Sequence, residues 1–192
     1  MAIRYCNIQV ELREVSLKNK PESMLAASAK ATVPVLIDTD DTTIDESLEI
    51  MLWALKQYPQ QNWLRPERQD EIFSLISQND NLFKIHLDHY KYASRFPEKP
   101  AAYYRQQGEQ HLLQLEKMLQ HTPYLFSQQP SLADIALFPF IRQFAYVDLD
   151  WFNTSPYPQL RQWLTNWLES ELFLSIMKKS PVWEAHHPPV FL

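Results

Sequence analysis

The sequence predicts a small α/β unit followed by an all-helical domain. Three observations predict it. Glycine is almost absent, strand-like and turn-like segments are confined to the first sixty residues, and apolar residues recur at helical spacing nearly everywhere after them. Glycine occurs once in 192 residues, at Gly108, where average usage gives roughly 13. A phosphate-cradling loop or a dinucleotide fingerprint needs glycines at several fixed positions, so that backbone N–H groups can approach phosphate. Neither can be built here. Leu, Gln and Ala in the place of glycine favour helix.

Composition excludes other classes. Hydrophobic residues make up 45% and charged residues 21%, ordinary for a chain that buries a core and unlike a disordered one. The net charge is −5, with Lys and Arg scattered, so no basic footprint for nucleic acid is present. No apolar run is long enough to span a membrane, and the N-terminus MAIRYCNIQVEL lacks the apolar stretch of a secretory signal. The one cysteine, Cys6, leaves no partner for an internal disulfide and no multi-cysteine zinc site. A cytoplasmic protein with no metal, no nucleic acid and no membrane partner is expected.

The elements follow in order. Val10–Leu17 (VELREVSL) alternates as a strand does. Pro21–Ser28 reads as a short helix with proline in its first turn. Val33–Ile37 is a short apolar run suited to a buried strand. The DTDD turn at 38–41 follows it, then a short strand over Thr42–Ile44. Asp45 is placed to N-cap the helix ESLEIMLWALKQY, which ends near Pro59. Tyr58–Pro66 (YPQQNWLRP) reads as a linker between a domain over 1–59 and a helical domain over 66–192. In the latter, Glu67 to about Phe96 carries Ile72, Leu75, Ile76, Leu82, Phe83, Leu87 and Tyr90 close to helical spacing. Further helices are expected over Ala101–His121, Ser131–Val147, Pro158–Leu168 and Leu172–Lys179.

Two local features carry chemistry. In Val33-Pro34-Val35-Leu36 the proline cannot donate to a ladder. A trans bond at the strand start is the common solution. A cis bond is the other, and it turns the N–H and C=O of Val33 outward, where they could pair with an extended peptide. Glu46-Ser47 lies at the start of a helix. The unpaired N–H groups and positive dipole end there, with the Ser47 hydroxyl, suit a carboxylate, and Glu46 suits an adjacent ammonium. Helix capping alone accounts for the same residues.

Eleven residues separate Val33-Pro34 from Glu46-Ser47, with a short hairpin between them. This order and spacing resembles the N-terminal thioredoxin-like domain of the glutathione S-transferases. The resemblance implies that Val33, before a cis Pro34, pairs with the cysteinyl backbone of glutathione, and that Glu46 and Ser47 bind its γ-glutamyl head. The run Leu17-Lys18-Asn19-Lys20-Pro21-Glu22 looks like the omega class, which implies that Lys20 contacts the glycyl carboxylate. Ser131-Leu132-Ala133-Asp134, ahead of IALFPF, is a capping box. It resembles the box that serves folding of the family's helical domain, so Ser131 and Asp134 are assigned a structural role.

The resemblance implies glutathione as co-substrate, a small-molecule electrophile or disulfide as second substrate, and a homodimer. It also implies a departure. Met1 falls inside the family's first helix, with AIRYCNIQVELREV matching the helix end and second strand. The first strand and the loop bearing the catalytic Tyr, Ser or Cys are then expected upstream of Met1. In the family's 2-1-3-4 sheet order this leaves one edge of Val10–Leu17 without a neighbour. Cys6 lies near the helix end, far from the helix start that would lower a thiol pKa, and is read as packing. The resemblance offers Phe83, Tyr90 and Phe138 as lining of the second-substrate pocket; they are read as core instead, as are Trp151, Trp163, Trp167 and Trp183 of the helical domain. His86 and His89 are read as helix-surface residues, and His186-His187 as tail. The expected function is glutathione-dependent transfer or thiol transfer on small molecules. The alternative is a non-catalytic binding protein of the same fold.

Overall fold

The computed structural model describes residues 1–58, 60 and 62–192. Pro59 and Gln61, within the expected linker, lie outside the described residues. The chain divides into two compact units, one of Met1–Gln61 with Glu171–Leu192 and the other of Asn62–Ser170. The chain end thus belongs with the N-terminal unit, where the sequence reading placed it in the helical domain.

The N-terminal unit contains helix α1 (Ala2–Tyr5), α2 (Glu22–Ala27), strands β1 (Leu36–Ile37) and β2 (Thr43–Ile44), and α3 (Ser47–Lys56). The strands pair antiparallel, Leu36 opposite Ile44 and Ile37 opposite Thr43. Asp41, at positive φ, closes the turn by donating its N–H to the Asp38 carbonyl; aspartate tolerates this left-handed conformation better than most residues. Ala2, Cys6, Leu36, Ile50, Ala54 and Leu55 are buried. Three expectations shift here. Pro21 is the N-cap of α2 instead of its first residue. The N-cap of α3 is Glu46, because the Asp45 carboxylate is taken by Ser28 and Lys30. Val10–Leu17 forms no continuous ladder, only single bridges from Glu11, Glu14 and Ser16.

The edge of that segment is met by the chain's own C-terminus. The Trp183 N–H donates to the Glu14 carbonyl at 2.8 Å, the Leu12 N–H to the Val190 carbonyl at 2.7 Å, and the Leu192 N–H to the Val10 carbonyl at 3.0 Å. Alternate residues of an extended segment direct their backbone groups to one side, so Val10, Leu12 and Glu14 present a single edge. Trp183 is therefore not in the helical unit; its ring lies 4.8 Å from the Arg13 guanidinium. A tenth helix, α10, covers Glu171–Ile176 in this unit, with Phe173 buried.

The helical unit holds α4 (Gln69–Gln78) and α5 (Lys84–Lys91), joined without a break through a π-helical turn at Asn79–Phe83, then α6 (Ala101–Met118), α7 (Leu132–Ala145), α8 (Leu149–Thr154) and α9 (Pro158–Glu169). Helix α8 falls between the segments 131–147 and 158–168, where the sequence predicts no helix. Ten of the 14 residues of α7 are buried, which makes it the central helix of the unit. Gly108 explains its own identity: a Cβ there would stand 2.5 Å from the ring of Phe144, a fully buried α7 residue. Phe83 and Phe138 are buried in this core, as are Tyr90, Trp163 and Trp167.

The capping box is present, and its acid reaches further than a cap. Asp134 is fully buried. One carboxylate oxygen accepts from the Ser131 N–H at 2.9 Å and the Ser131 hydroxyl at 2.7 Å. The other accepts from the Leu125 N–H at 3.0 Å and Trp163 Nε1–H at 2.9 Å. Burial pushes the carboxyl above its ordinary range, against the pull of these donors. Glu116, also buried, accepts from the N–H groups of Gln159 and Leu160 and so satisfies the start of α9. His111 is buried with Nε2 unpartnered, stacked on Phe83 at 4.7 Å, and burial lowers its pKa to about 4.

Asp134→Ala strands three buried donors besides the Ser131 hydroxyl and should cost on the order of 3–5 kcal/mol in denaturant unfolding; a loss below about 1 kcal/mol would remove Asp134 from this role. His111 is neutral in the fold and takes up a proton on unfolding, so its contribution is complete above the unfolded pKa of about 6.5 and fades as pH falls toward 4. Between pH 7 and 5 the wild type should lose on the order of 2 kcal/mol more than His111→Leu. Equal losses in the two proteins would contradict this.

Candidate functional site

The site residues converge on the β1–β2 hairpin and the helix after it. Two contacts hold this arrangement. Trp53 Nε1–H of α3 donates to the Asp38 carboxylate at the hairpin turn. The Ser28 hydroxyl, just past α2, donates to Asp45 at 2.7 Å, immediately before α3. Hairpin, α2 and the α3 start are thereby tied together.

The Val33–Pro34 peptide bond is cis. Base rates for the four residues alone favour trans, and the order of motifs around them points the other way. Val33 is 48% exposed, unusual for a valine beside a strand. Among the described residues none hydrogen-bonds to its backbone N–H or C=O. Those groups can therefore pair with an extended ligand backbone.

Glu46 and Ser47, both exposed, stand at the N-cap and first position of α3. The helix spans ten residues, so its start carries a full set of unpaired N–H groups and the positive end of the dipole. The Glu46 side chain makes no capping hydrogen bond. It pairs with Lys30 Nζ, which also meets Asp45 at 3.1 Å. Glu46 first, and Asp45 with it, hold the Lys30 ammonium above its ordinary pKa. The Ser28 hydroxyl and Lys30 hold Asp45 below the usual carboxylate range. Lys30 was not found by sequence reasoning, since a lone exposed lysine carries no local signal. Lys20 is half-buried ahead of α2.

Cys6 is a free, buried thiol, and burial pushes its pKa up. A nucleophilic thiol needs the opposite shift, so Cys6 belongs to the core. The His89 ring lies tilted against that of Phe96 with centroids 4.0 Å apart, and His86 is half-buried on the same helix. A cavity of the helical unit, about 580 Å³, is lined by Arg68, Gln78, Gln114, Lys117 and His121 among others, and none of Lys20, Val33, Pro34, Glu46 or Ser47 lines it.

Comparison with known proteins bears on the whole chain. Residues 1–62 match the family model described as glutathione S-transferase, N-terminal domain, and residues 68–166 match that described as glutathione S-transferase, C-terminal domain. Comparison with curated protein sequences gave no match. Among solved structures, a ternary complex of BphK, a bacterial glutathione S-transferase, is 24% identical, with a TM-score of 0.72 over 91% of this chain and 88% of that one. A glutathione transferase family member from Pseudomonas fluorescens, solved with two glutathione bound, is 17% identical, with a TM-score of 0.77 over 91% and 84%. A homologue from Sulfitobacter with bound glutathione is 19% identical, with a TM-score of 0.73 over 91% and 88%. Among the described residues no helix is long and apolar enough to cross a membrane. With a thioredoxin-like N-terminal domain ahead of a helical one, the chain belongs to the glutathione S-transferase family.

Proposed function

We propose that the protein binds glutathione on the N-terminal unit and uses it in transferase or thiol-transfer chemistry on small molecules. One observation carries the reading: an exposed Val33 before a cis proline, joined by a short hairpin to Glu46 and Ser47 at the start of α3. Bound glutathione in two of the structural neighbours supports it. In this reading the Val33 backbone pairs with the cysteinyl residue. Ser47 and the α3 N–H groups hold the γ-glutamyl carboxylate. Glu46 takes the α-ammonium and shares its charge with Lys30. Lys20 meets the glycyl carboxylate, as in the omega class. The cis proline serves the same contact, as Pro34 sets the direction of Val33.

The described thiol, Cys6, does not supply the nucleophile. If the chemistry is omega-like, a cysteine thiolate attacks a glutathionyl disulfide, a mixed disulfide forms, and the departing sulfur leaves as thiolate. A cytoplasmic homodimer completes the proposal, carried over from the resemblance. Titration calorimetry tests the binding. Ser47→Ala and Glu46→Gln should each weaken glutathione at least about tenfold, or ~1.4 kcal/mol, with circular dichroism unchanged. Wild-type affinity in both variants would sink this site. Turnover with glutathione and a model electrophile or disulfide separates the enzyme from a binding protein that retains glutathione without reacting.

A further inference from the structure

The C-terminal tail carries side chains that no part of the glutathione reading uses. Its two ends are fixed on one edge of the Val10–Glu14 segment, through Trp183 at one end and Val190 and Leu192 at the other. Between these anchors the chain turns. The His187 N–H donates to the Glu184 carbonyl at 3.0 Å and closes the turn. Neighbouring residues of an extended chain point to opposite sides. In this turn the imidazoles of His186 and His187 instead lie together, with ring centroids 4.5 Å apart. Both face one carboxylate oxygen: Glu184 Oε2 stands 3.5 Å from His186 Nε2 and 3.8 Å from His187 Nε2. The three donor atoms all fall within 4.8 Å of one another.

We propose that Glu184, His186 and His187 form a binding site for a borderline divalent cation of the zinc type. Zinc takes imidazole nitrogen and carboxylate oxygen at about 2.0–2.2 Å in a tetrahedron, which sets its ligand atoms roughly 3.3 Å from one another. The separations from Glu184 Oε2 exceed that by a few tenths of an ångström, within reach of side-chain rotation. Side-chain exposures of 57%, 75% and 40% for Glu184, His186 and His187 leave an open approach for the ion and a fourth position for water. Two neutral imidazoles and one carboxylate carry a single negative charge, which the cation offsets. The nitrogen donors select against magnesium and calcium, which prefer all-oxygen shells. Backbone pairing on both sides of the turn lowers the ordering cost that a free tail would meet on binding. The bound ion in turn closes the turn between the two anchored ends and should strengthen the tail's hold on Val10–Glu14.

The test uses the untagged full chain and zinc ion, read by calorimetry and by the fluorescence of Trp183 next to the site. One zinc per chain is expected, together with a rise in melting temperature. The double variant His186→Ala/His187→Ala alters only exposed side chains and should weaken zinc at least tenfold, with glutathione affinity and circular dichroism unchanged. Glu184→Gln should weaken zinc in the same direction. Absence of zinc binding, or wild-type zinc affinity in the double variant, would overturn the proposal; the latter would place the ion elsewhere, for example at His86 and His89. Magnesium binding as tight as zinc would overturn it as well.

Discussion

Backbone groups at the edge of an extended segment need partners, and in the N-terminal unit the two chain ends supply them to each other. Val10, Leu12 and Glu14 meet Leu192, Val190 and Trp183 through three hydrogen bonds of 2.7–3.0 Å. Unmade, such bonds cost about 1–3 kcal/mol each where the groups are shielded from water, a large share of a typical stability of about 5–15 kcal/mol. The pairing also recruits side chains: Arg13 lies over the Trp183 ring and forms an ion pair with Glu11. A chain end that would otherwise fray is thereby made part of the unit that carries the glutathione reading.

Within that unit, the positions of Val33, Glu46 and Ser47 depend on a few contacts that do no chemistry. Trp53 holds α3 to the hairpin turn through Asp38, and Ser28 holds α2 to the α3 start through Asp45. Because Asp45 is engaged there, the cap position passes to Glu46. The carboxylate proposed to meet an ammonium thus projects from the helix start and finds Lys30. A similar economy operates in the helical unit. Asp134 ties the α7 start, the preceding loop at Leu125 and α9 at Trp163 together through one buried side chain.

What could be read ahead of the structure was what local sequence encodes. The Ser131–Asp134 box spans four residues and is visible as a pattern; that Asp134 also accepts from Trp163, 29 residues away, has no local trace. The long helices were legible from apolar spacing, whereas α8, six residues long, was too short to show a period. The cis bond at Pro34 was legible through the order of Val33-Pro34 and Glu46-Ser47, and against base rates for the proline alone. The Val10–Leu17 segment was read as a strand from its alternation. Its neighbour could not be read, because the residues that meet it lie at the far end of the chain. Lys30 escaped notice, and His186-His187 read only as tail, for the same reason: their meaning lies in what they face.

The most direct test of the glutathione account is the backbone amide spectrum of the isotope-labelled protein titrated with reduced glutathione. The account predicts saturable shifts concentrated at Val33, Glu46, Ser47 and the first turn of α3, with Lys20 included and the helical unit's core at Asp134 and His111 unmoved. Shifts that cluster at the Arg68–His121 cavity, or none at millimolar glutathione, would contradict it.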